Sequence, residues 1–577
     1  MLVYGEHKEY GATRLCLHLI TLALKKIVQN HDLDSAVELL IECGIFETAL
    51  ADHYCIDKDE LNPLLESASS LALRSAEVLC HVMESGRFPR ESLAALHSAF
   101  QRVQSLDLPE RSWHVVPEGF AFYGLYPECY IRSAENFFHD CRPEQITVIG
   151  LRSIGSTLSS VVEAKLRLLG ADVLRFTVRP HGHPFDRKVK LGESLKELVK
   201  RRAGGYVLII DEGPGLSGSS LCGTARTISK LGVPVDRIVL FPSWIPSGDS
   251  FVSESARTEW SMYSKYCTDF AEIRSGLDVF NRGKEYIDIS SGKWRRFLFP
   301  HRWMLSAVNP YHERRKYAEL DGDNISSVLK FAGLGRFGNR AEVISRILGE
   351  RGFSPKVIKC VNGFIQYEYC DGDVFCEQDL GTDFFKSVTQ YLIFRKSSLP
   401  VSGEVLPYES LLTMIKVNVA ESFGEPFARS ICFDGLMDEE LYYNDISVVD
   451  GRMLPAKWIK TGGKWVKIDG ADHHRDQFLP GPQNIAWDLA GVCIEFGLSD
   501  IQKRELLDLY KADLFDPYIE ERIPFYLIAY SAFRTGYASM AAASLSGSED
   551  GKLFAHLTDY YKRILEGELK RVQQVLH

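Results

Sequence analysis

The sequence has little of what marks a secreted, membrane-bound or nucleic-acid-binding chain. Its thirteen cysteines form no CxxC pair, so the spacing indicates neither a zinc site nor a disulfide framework. The formal net charge of −10 argues against a broad nucleic-acid or membrane surface, because phosphate contacts need clustered Lys and Arg. No N-terminal stretch combines a basic region, an apolar run and a small-residue cleavage site. We therefore expect a cytoplasmic protein with reduced thiols.

Long apolar runs are also missing. The longest one near the start is LCLHLITLAL at 15–24, which is shorter than the roughly twenty residues that a bilayer requires. It predicts a buried helix. Residues 1–110 consist of runs with apolar residues at three- and four-residue spacing, which predict a helical region. We expect this region either to pack on the next domain or to mediate self-association, in which case the chain forms a homodimer.

The stretch from Tyr206 to Leu221, YVLIIDEGPGLSGSSL, joins a predicted strand to a predicted helix. Its five apolar residues suit a strand buried on both faces, and the strand ends at Asp211 and Glu212. Glycines and a proline predict a tight turn before the helix, where backbone N–H groups, the helix dipole and serine hydroxyls bind phosphate. Two adjacent carboxylates suit the vicinal hydroxyls of a ribose, with or without a divalent cation. The pattern indicates a sugar-phosphate site; an ordinary strand-to-helix turn is the alternative.

A second loop of this kind lies upstream. ITVIG at 146–150 predicts a buried strand, and GLRSIGSTLSS places Arg152 before the next helix, where a guanidinium can bind a diphosphate in bidentate fashion. ADVLRFTV at 171–178 predicts another strand, followed by the basic stretch RPHGHPFDRKVK, which suits a mobile loop. With strands at 206–210 and 236–241, these elements predict a doubly wound parallel sheet with its ligand loops at the carboxyl ends of the strands.

Residues 111–285 resemble the PRPP-binding domain of the type I phosphoribosyltransferases. The resemblance implies that Asp211 and Glu212 are the catalytic acidic pair that binds the ribose hydroxyls. It also implies that Arg187 and Lys188 help to neutralise the leaving diphosphate, which Mg²⁺ bridges. The residues implied to bind the substrate phosphates are Arg152, Ser153, Ser156, Arg179, Ser217, Gly218, Ser219 and Ser220.

Two features near this predicted site have competing interpretations. His181 and His183 could be metal ligands, but no third ligand at a fixed spacing accompanies them. Trp244, in FPSWIP, could stack on a base or could belong to the core or the surface.

A second α/β unit begins after about residue 285. The segment SSVLKFAGLGRFGNRAEVISRILGERG predicts a strand carrying Lys330, a glycine loop and a helix carrying Glu342. KVIKC and GFIQYEYCDG predict two further strands. GLGRFG satisfies the GxGxxG pattern of dinucleotide-binding folds, but about twenty residues later, where an acidic ribose ligand is expected, the sequence reads KVIKCVNG.

Acidic residues recur near the end of this unit. Asp445 precedes Asp450 by five residues, Asp469 ends a predicted strand in KWVKIDG, and Asp488 lies in WDLAG. With the upstream lysine and glutamate, this order resembles the aminoglycoside phosphotransferase and choline kinase class of protein-kinase-like folds over residues 286–577. That class has an HxD catalytic loop with an Asn five residues after the Asp, a metal-binding Asp that ends a strand, and an Asp-Leu-Ala element.

The kinase resemblance implies a role for each of these side chains. Asp445 would accept the proton of the substrate hydroxyl, and Asp450 and Asp469 would hold Mg²⁺. Lys330 would contact the ATP phosphates and Glu342 would orient that lysine. An additional implication is that Asp488 braces the catalytic loop. His473 and His474, beside Asp472, are predicted to be hydrogen-bonding residues.

The sequence thus predicts an α/β and α+β multidomain enzyme with a helical region at 1–110, a phosphoribosyltransferase-like domain at 111–285 and a two-lobed kinase-like domain at 286–577. Its expected partners are small molecules: PRPP, a nitrogenous base or nucleotide, and ATP. The expected reactions are phosphoribosyl transfer to a base, or pyrophosphorolysis, and ATP-dependent phosphorylation of a small-molecule hydroxyl. The alternative is a nucleotide-sensing regulatory or defence-related protein in which one or both sites do not turn over.

Overall fold

A short antiparallel ribbon joins the N-terminus to the residues that lead into the central sheet. We analysed a computed structural model, which describes residues 1–3, 8–298, 306–401, 405–471 and 481–576. Strand β1 (Lys8–Ala12) pairs with β2 (Arg111–Val115). Between them lie the helices α1 (Thr13–Asn30), α2 (Leu33–Tyr54), α3 (Pro63–Ser85) and α4 (Arg90–Gln104). The predicted helices are confirmed, whereas β1 was not predicted.

Helix α2 is the central element of this N-terminal region. The Asp32 side chain caps it by accepting a hydrogen bond from the backbone of Ser35 at 2.8 Å, which satisfies one of the free N–H groups of the first turn. Every residue from Ser35 to Ala51 is buried, so the helix is enclosed on all sides. Its Gly44 allows close contact with Thr157, because a Cβ atom on the glycine would lie 1.8 Å from the threonine Oγ1.

The predicted parallel sheet is present, with strand order β4-β3-β5-β6-β7. The strands are β3 (Gln145–Leu151), β4 (Asp172–Val178), β5 (Tyr206–Ile210), β6 (Ile238–Phe241) and β7 (Ser264–Lys265). The helices are α5 (Pro127–Cys141), α6 (Ile154–Leu168), α7 (Glu193–Arg201), α8 (Ser219–Ser229), α9 (Glu254–Glu259) and α10 (Phe270–Arg274). Alternate residues of β3 enter two different core clusters, so both faces of the sheet are covered, as a doubly wound sheet requires.

An antiparallel sheet of order β11-β12-β10-β9-β8 opens the C-terminal half. Its elements are β8 (Glu285–Asp288), α11 (Arg295–Leu298), β9 (Lys316–Asp321), β10 (Asn324–Phe331), α12 (Arg336–Glu350), β11 (Val357–Val361) and β12 (Phe364–Glu368). The strand that carries Lys330, the helix that carries Glu342 and the two strands after them are therefore where the sequence predicted them.

Two small sheets and a group of helices complete the chain. The strands are β13 (Asp373–Val374), β14 (Ile446–Ser447), β15 (Trp458–Thr461), β16 (Lys464–Lys467) and β17 (Gln483–Asn484). The helices are α13 (Thr382–Ser398), α14 (Tyr408–Phe423), α15 (Glu425–Ser430), α16 (Glu439–Tyr443), α17 (Ala486–Glu495), α18 (Asp500–Asp513), α19 (Ile519–Ser544) and α20 (Glu549–Leu576). The whole chain has a mixed α/β fold.

The hydrophobic core is continuous across the first two predicted regions. One cluster contains residues of α1 to α6, one face of the parallel sheet, and side chains such as Leu329 and Phe364 of the antiparallel sheet. A separate cluster lies among the helices of the C-terminal half. The predicted boundary at residue 110 therefore cuts through one core. No helix in the described ranges is long and apolar enough to cross a membrane.

Candidate functional site

A polar pocket lies at the carboxyl edge of the parallel sheet. Strands β3, β4 and β5 end there, and the loops after them contribute Arg152, Arg179 and Asp211. The pocket has a volume of about 590 Å³ and is lined by Asp52, Cys55, Ile56, Trp113, Leu151, Arg152, Arg179, Pro180, His181, Arg187, Asp211 and Ser220. Five residues that the phosphoribosyltransferase resemblance implicated thus line one pocket, together with residues of the N-terminal helical region: Arg152, Arg179, Arg187, Asp211 and Ser220.

Carboxylates of the N-terminal region hold two of the three arginines of this pocket. Arg152 donates to Asp52 Oδ1 from Nε at 2.8 Å and to Asp59 Oδ1 from Nη2 at 2.6 Å. Arg179 donates to Asp52 Oδ1 from Nε at 3.1 Å, and its backbone N–H donates to Asp59 Oδ2 at 3.0 Å. The sequence did not predict these carboxylates, because each lies about a hundred residues or more from its arginine.

The serines of the two predicted phosphate-binding loops make different contacts. At the start of α8, the hydroxyls of Ser217 and Ser219 donate to the carbonyl of Pro184 at 2.9 and 2.7 Å, so they hold the basic loop against the helix. Gly218 has a φ of +64°, and a Cβ atom there would lie 2.7 Å from the ring of Phe251, which leaves room only for glycine.

The serines of the upstream loop face inward. Thr48 donates from its hydroxyl to Ser156 Oγ at 2.8 Å and to the carbonyl of Ser153 at 3.0 Å. Ser156 is fully buried. Ser153 and Ser156 therefore link the start of α6 to helix α2. Ser220, in the other loop, lines the pocket.

Burial changes the acidity of the predicted catalytic pair. Desolvation raises the pKa of Asp211 to about 6. Desolvation, with the negative charges of Glu118 and Asp211, raises the pKa of Glu212 to about 8. The carboxyl group of Glu212 packs against Gly119, whose Cβ, if present, would lie 2.9 Å from Cδ. Groups with such raised pKa values are enriched at sites that bind or transform ligands.

Trp244 and His181, the other two features that were considered near this pocket, have simpler surroundings. The Trp244 indole is half exposed and donates to the carbonyl of Pro214 at 3.1 Å. His181 lines the pocket, and within the described ranges no group of three His, Cys, Asp or Glu side chains could hold a metal ion.

A second cavity lies between the antiparallel sheet and the β15–β16 hairpin. Lys330 on β10 forms an ion pair with Asp469 Oδ1, and Lys457 donates to Asp469 Oδ2 at 2.7 Å. The lining residues are Ile289, Trp294, Phe297, Lys316, Ala318, Ile325, Val328, Lys330, Ser345, Ser354, Pro355, Tyr367, Glu368, Tyr369, Cys370, Lys457, Ile459, Ile468, Asp469, Gly470 and Ala471. Burial lowers the pKa of Lys457 to about 8, against the opposing effect of the Asp469 charge.

Lys457 was not predicted from the sequence, although a signal for it exists. The TGGK turn joins β15 to β16 in a register that sets Trp458 opposite Lys467. Lys457, one residue before the hairpin, must then lie near the residues that follow it, and its carbonyl accepts the N–H of Ile468 at 2.9 Å. Hairpin register alone would have placed this lysine opposite Ile468, the residue before Asp469.

The other predicted kinase residues lie outside this cavity. Asp445 pairs with Lys396 of α13, and Glu342 is in an ion pair with Arg346 at 2.6 Å. Asp450 is buried, with the nearest ammonium, that of Lys467, at 3.0 Å. In the described part of the chain, none of Asp445, Asp450 and Glu342 lines the cavity that contains Asp469. His473 and His474 lie outside the described residues.

Asp488 braces the backbone next to Asp450. Its carboxylate accepts the backbone N–H groups of Asp450 at 2.6 Å and of Gly451 at 2.8 Å. Desolvation, together with the charge of Asp450, raises the pKa of Asp488 to about 7. This carboxyl group fixes the backbone of the segment between β14 and β15.

The GLGRFG loop is occupied by contacts with the N-terminal region. A Cβ atom on Gly335 would lie 3.1 Å from the Glu38 side chain of α2, and Leu334 donates from its backbone to the carbonyl of Phe120 at 2.9 Å. Arg336 forms an ion pair with Glu42 at 2.7 Å. The glycines therefore permit close packing of two parts of the chain.

The predicted Mg²⁺ ligands do not fit a divalent cation. Mg²⁺ requires octahedral oxygen coordination, but both carboxylate oxygens of Asp469 accept ammonium groups. The carboxylate of Asp450 is directed to Lys467 and to the hydroxyl of Tyr391. The described residues of this cavity thus surround Asp469 with positive charge.

The solved structures to which this chain is similar include choline and ethanolamine kinases. A choline/ethanolamine kinase family protein from Mesorhizobium loti is 15% identical, with a TM-score of 0.33 over 49% of this chain and 98% of that chain. Choline kinase LicA from Streptococcus pneumoniae is 16% identical, with a TM-score of 0.31 over 44% and 89%. An ethanolamine kinase from Plasmodium vivax is 14% identical, with a TM-score of 0.33 over 62% and 95%. No protein-family model and no curated protein matches the sequence. Identities and TM-scores at this level do not assign an activity to this chain.

Proposed function

We propose that the C-terminal half of the chain is a kinase-like unit that binds an ATP-type nucleotide in the cavity at Lys330 and Asp469. The observation that carries this proposal is the ion pair between these two residues, because it joins a strand of the antiparallel sheet to the hairpin of a separate sheet at one cavity. Phosphorylation of a small-molecule hydroxyl and nucleotide sensing both begin with this binding step.

The cavity has both the apolar and the positively charged surface that a nucleotide requires. Ile325, Val328 and Ile468 supply apolar surface for a base, and the ammonium groups of Lys330 and Lys457 supply positive charge for phosphates. Asp445, the predicted proton acceptor, is paired with Lys396, so the proposal commits to the binding step.

Thermal unfolding with ATP tests the binding step. A ligand at a hundred times its dissociation constant adds about 2.7 kcal/mol of stability, so wild type should unfold at a clearly higher temperature. Lys330→Met should lose this shift, whereas Lys464→Met, on the exposed side of β16, should keep it. ADP release in the presence of choline, ethanolamine or an aminoglycoside then separates a kinase from a sensor. No shift in wild type would refute the proposal.

A second function is proposed for the pocket of the parallel sheet: binding of PRPP and transfer of its phosphoribosyl group to, or from, a nitrogenous base. The observation that favours it is the meeting of Arg152, Arg179, Asp211 and Ser220, from three different loops, in one pocket. The arginines would neutralise the diphosphate as it leaves, and Asp211 would accept ribose hydroxyl hydrogens.

PRPP binding is tested in the same way. PRPP should stabilise wild type and should fail to stabilise Asp211→Asn, while the exposed variant Asp323→Asn should respond as wild type does. Release of pyrophosphate with a panel of purine and pyrimidine bases then identifies the acceptor. If PRPP stabilises wild type and Asp211→Asn equally, it does not bind at this pocket.

A further inference from the structure

Two lysines enclose the carboxylate that kinase chemistry would give to a metal ion. Lys330 approaches Asp469 from β10, and Lys457 approaches it from the start of the hairpin at 2.7 Å. All three side chains are only 10% exposed. Lys316 also lines the cavity, where Glu313 accepts its ammonium hydrogen at 2.7 Å.

These ammonium groups have the charge of a divalent ion but not its chemistry. An ammonium group donates hydrogen bonds and cannot accept them, so it neutralises a carboxylate and can turn its remaining hydrogens to phosphate oxygens. A lysine that contacts phosphate as a point charge is a common arrangement in nucleotide sites. The side chain of Lys457 is further held by the indole of Trp294, with Nζ 4.5 Å from the ring centroid.

We propose that Lys457 takes the place of the divalent cation in this cavity, so that the C-terminal half binds nucleotide phosphates without Mg²⁺. This inference rests on the proposed nucleotide-binding function. In the bound state the phosphates accept hydrogen bonds from Lys330 and Lys457, and Asp469 keeps the two lysines in position. The inference concerns this binding step alone, in which no bond is made or broken.

The dimensions of the cavity limit how the ligand lies. Its volume is about 140 Å³, so a nucleotide places only part of its length inside. Apolar side chains and the ammonium groups of Lys330 and Lys457 line the same cavity. A base against Ile325 and Val328 would direct the phosphates toward the lysines.

A purely structural role for Lys457 predicts a different result. If the lysine only neutralises Asp469, its replacement would alter stability and leave the metal dependence of binding unchanged. A role as cation substitute predicts that the same replacement changes the response to Mg²⁺. The metal dependence of ATP binding therefore discriminates between the two.

The experiment is calorimetric titration of the full chain with ATP, once in EDTA and once in excess Mg²⁺. Wild type should bind ATP in EDTA with a dissociation constant within about threefold of that in Mg²⁺, a difference below 1 kcal/mol. Lys457→Asn should weaken binding in EDTA by roughly tenfold to a hundredfold, the usual effect of losing a charged hydrogen bond. Mg²⁺ should restore part of that loss, because an Asn oxygen and Asp469 can ligate the ion.

Three other results of the titration would contradict the inference, the proposed function or the role of Lys457. ATP binding by wild type only in Mg²⁺ overturns the inference and leaves the proposed function standing. Absence of ATP binding in both buffers overturns both. Equal behaviour of Lys457→Asn and wild type assigns the lysine a structural role only, with Lys464→Asn as the control for surface charge. The wild-type comparison stands even if Lys457→Asn does not fold.

Discussion

Lys467 and Asp450 form an ion pair that is closed to solvent: Nζ lies 3.0 Å from Oδ2, and both side chains are 0% exposed. The Tyr391 hydroxyl donates to the same carboxylate at 2.5 Å, and Arg395 donates to that hydroxyl at 2.7 Å. The Asp450 carboxylate, which was predicted to ligate Mg²⁺, is therefore the centre of a buried polar network. We expect its contribution to be structural.

Replacement of Lys467 by methionine should destabilise the chain strongly. The change would leave the buried Asp450 carboxylate without its closest cation, and loss of one partner of a buried ion pair costs about 3–5 kcal/mol. Chemical denaturation monitored by circular dichroism measures this loss. Lys464→Met, on the same strand but exposed, should change the free energy of unfolding by less than about 0.5 kcal/mol. Similar values for the two variants would contradict the structural role of the pair.

The parallel sheet could be predicted from the sequence because burial on both faces leaves apolar runs such as Tyr206–Ile210. Strand Ser264–Lys265 could not, because two residues carry no periodicity. Strand Lys8–Ala12 was missed because its stability comes from pairing with residues about a hundred positions away. Contacts of this kind leave no local pattern.

The candidate sites, like the strands, contain residues that could be predicted from the sequence and residues that could not. Loops at the carboxyl ends of neighbouring parallel strands had to meet, which is why Arg152 and Asp211 could be placed together. The partners of those residues could not be predicted, because Asp52 comes from a helix with no chemical motif. In the C-terminal half, Lys330 and Asp469 were each predicted to be functional, but their ion pair and the burial that removes Asp450 from the cavity both depend on tertiary packing.

The contact between Gly44 and Thr157 tests whether the N-terminal helices and the parallel sheet fold as one unit. In Gly44→Ala the new Cβ would overlap the threonine hydroxyl at 1.8 Å, and overpacking of this kind costs about 1–3 kcal/mol. Gly567→Ala, on the exposed side of α20 with no atom within 4 Å of the added Cβ, should instead stabilise by up to about 1 kcal/mol.

Denaturation curves for the two glycine variants give the comparison. A single transition that shifts as a whole in Gly44→Ala indicates one cooperative core. If only a separate early transition moves, the region 1–110 unfolds independently of the sheet, contrary to the continuous core seen here.

The raised pKa of Glu212 predicts a stability that depends on pH. The pKa of this group is raised from 4.5 to about 8, first by desolvation. The folded state therefore keeps the proton over an interval in which the unfolded chain has lost it, and stability falls as pH rises from about 4.5 to about 8. Glu212→Gln removes this cost and should stabilise the chain by about 2–4 kcal/mol at pH 8, with little effect at pH 4.5.

Thermal unfolding of wild type and Glu212→Gln across this pH range gives the result directly. The exposed control Asp323→Asn should follow the wild-type curve. A pH-independent difference between wild type and Glu212→Gln would mean that the carboxyl group has the same pKa in the folded and the unfolded chain, contrary to the raised pKa.

Asp52 pairs with two of the three arginines of the parallel-sheet pocket, Arg152 and Arg179, where we expect it to compete with anionic ligands. Its Oδ1 accepts hydrogen bonds from Arg152 at 2.8 Å and from Arg179 at 3.1 Å, so a diphosphate must displace or share this carboxylate. Asp52→Asn removes the negative charge and should tighten pyrophosphate binding by roughly threefold to tenfold, about 1 kcal/mol. Asp57→Asn, whose side chain is 86% exposed and pairs with Lys190, should leave the dissociation constant unchanged. Weaker binding in Asp52→Asn, measured by calorimetry on protein of unchanged unfolding temperature, would instead mean that the carboxylate positions both guanidinium groups for the ligand.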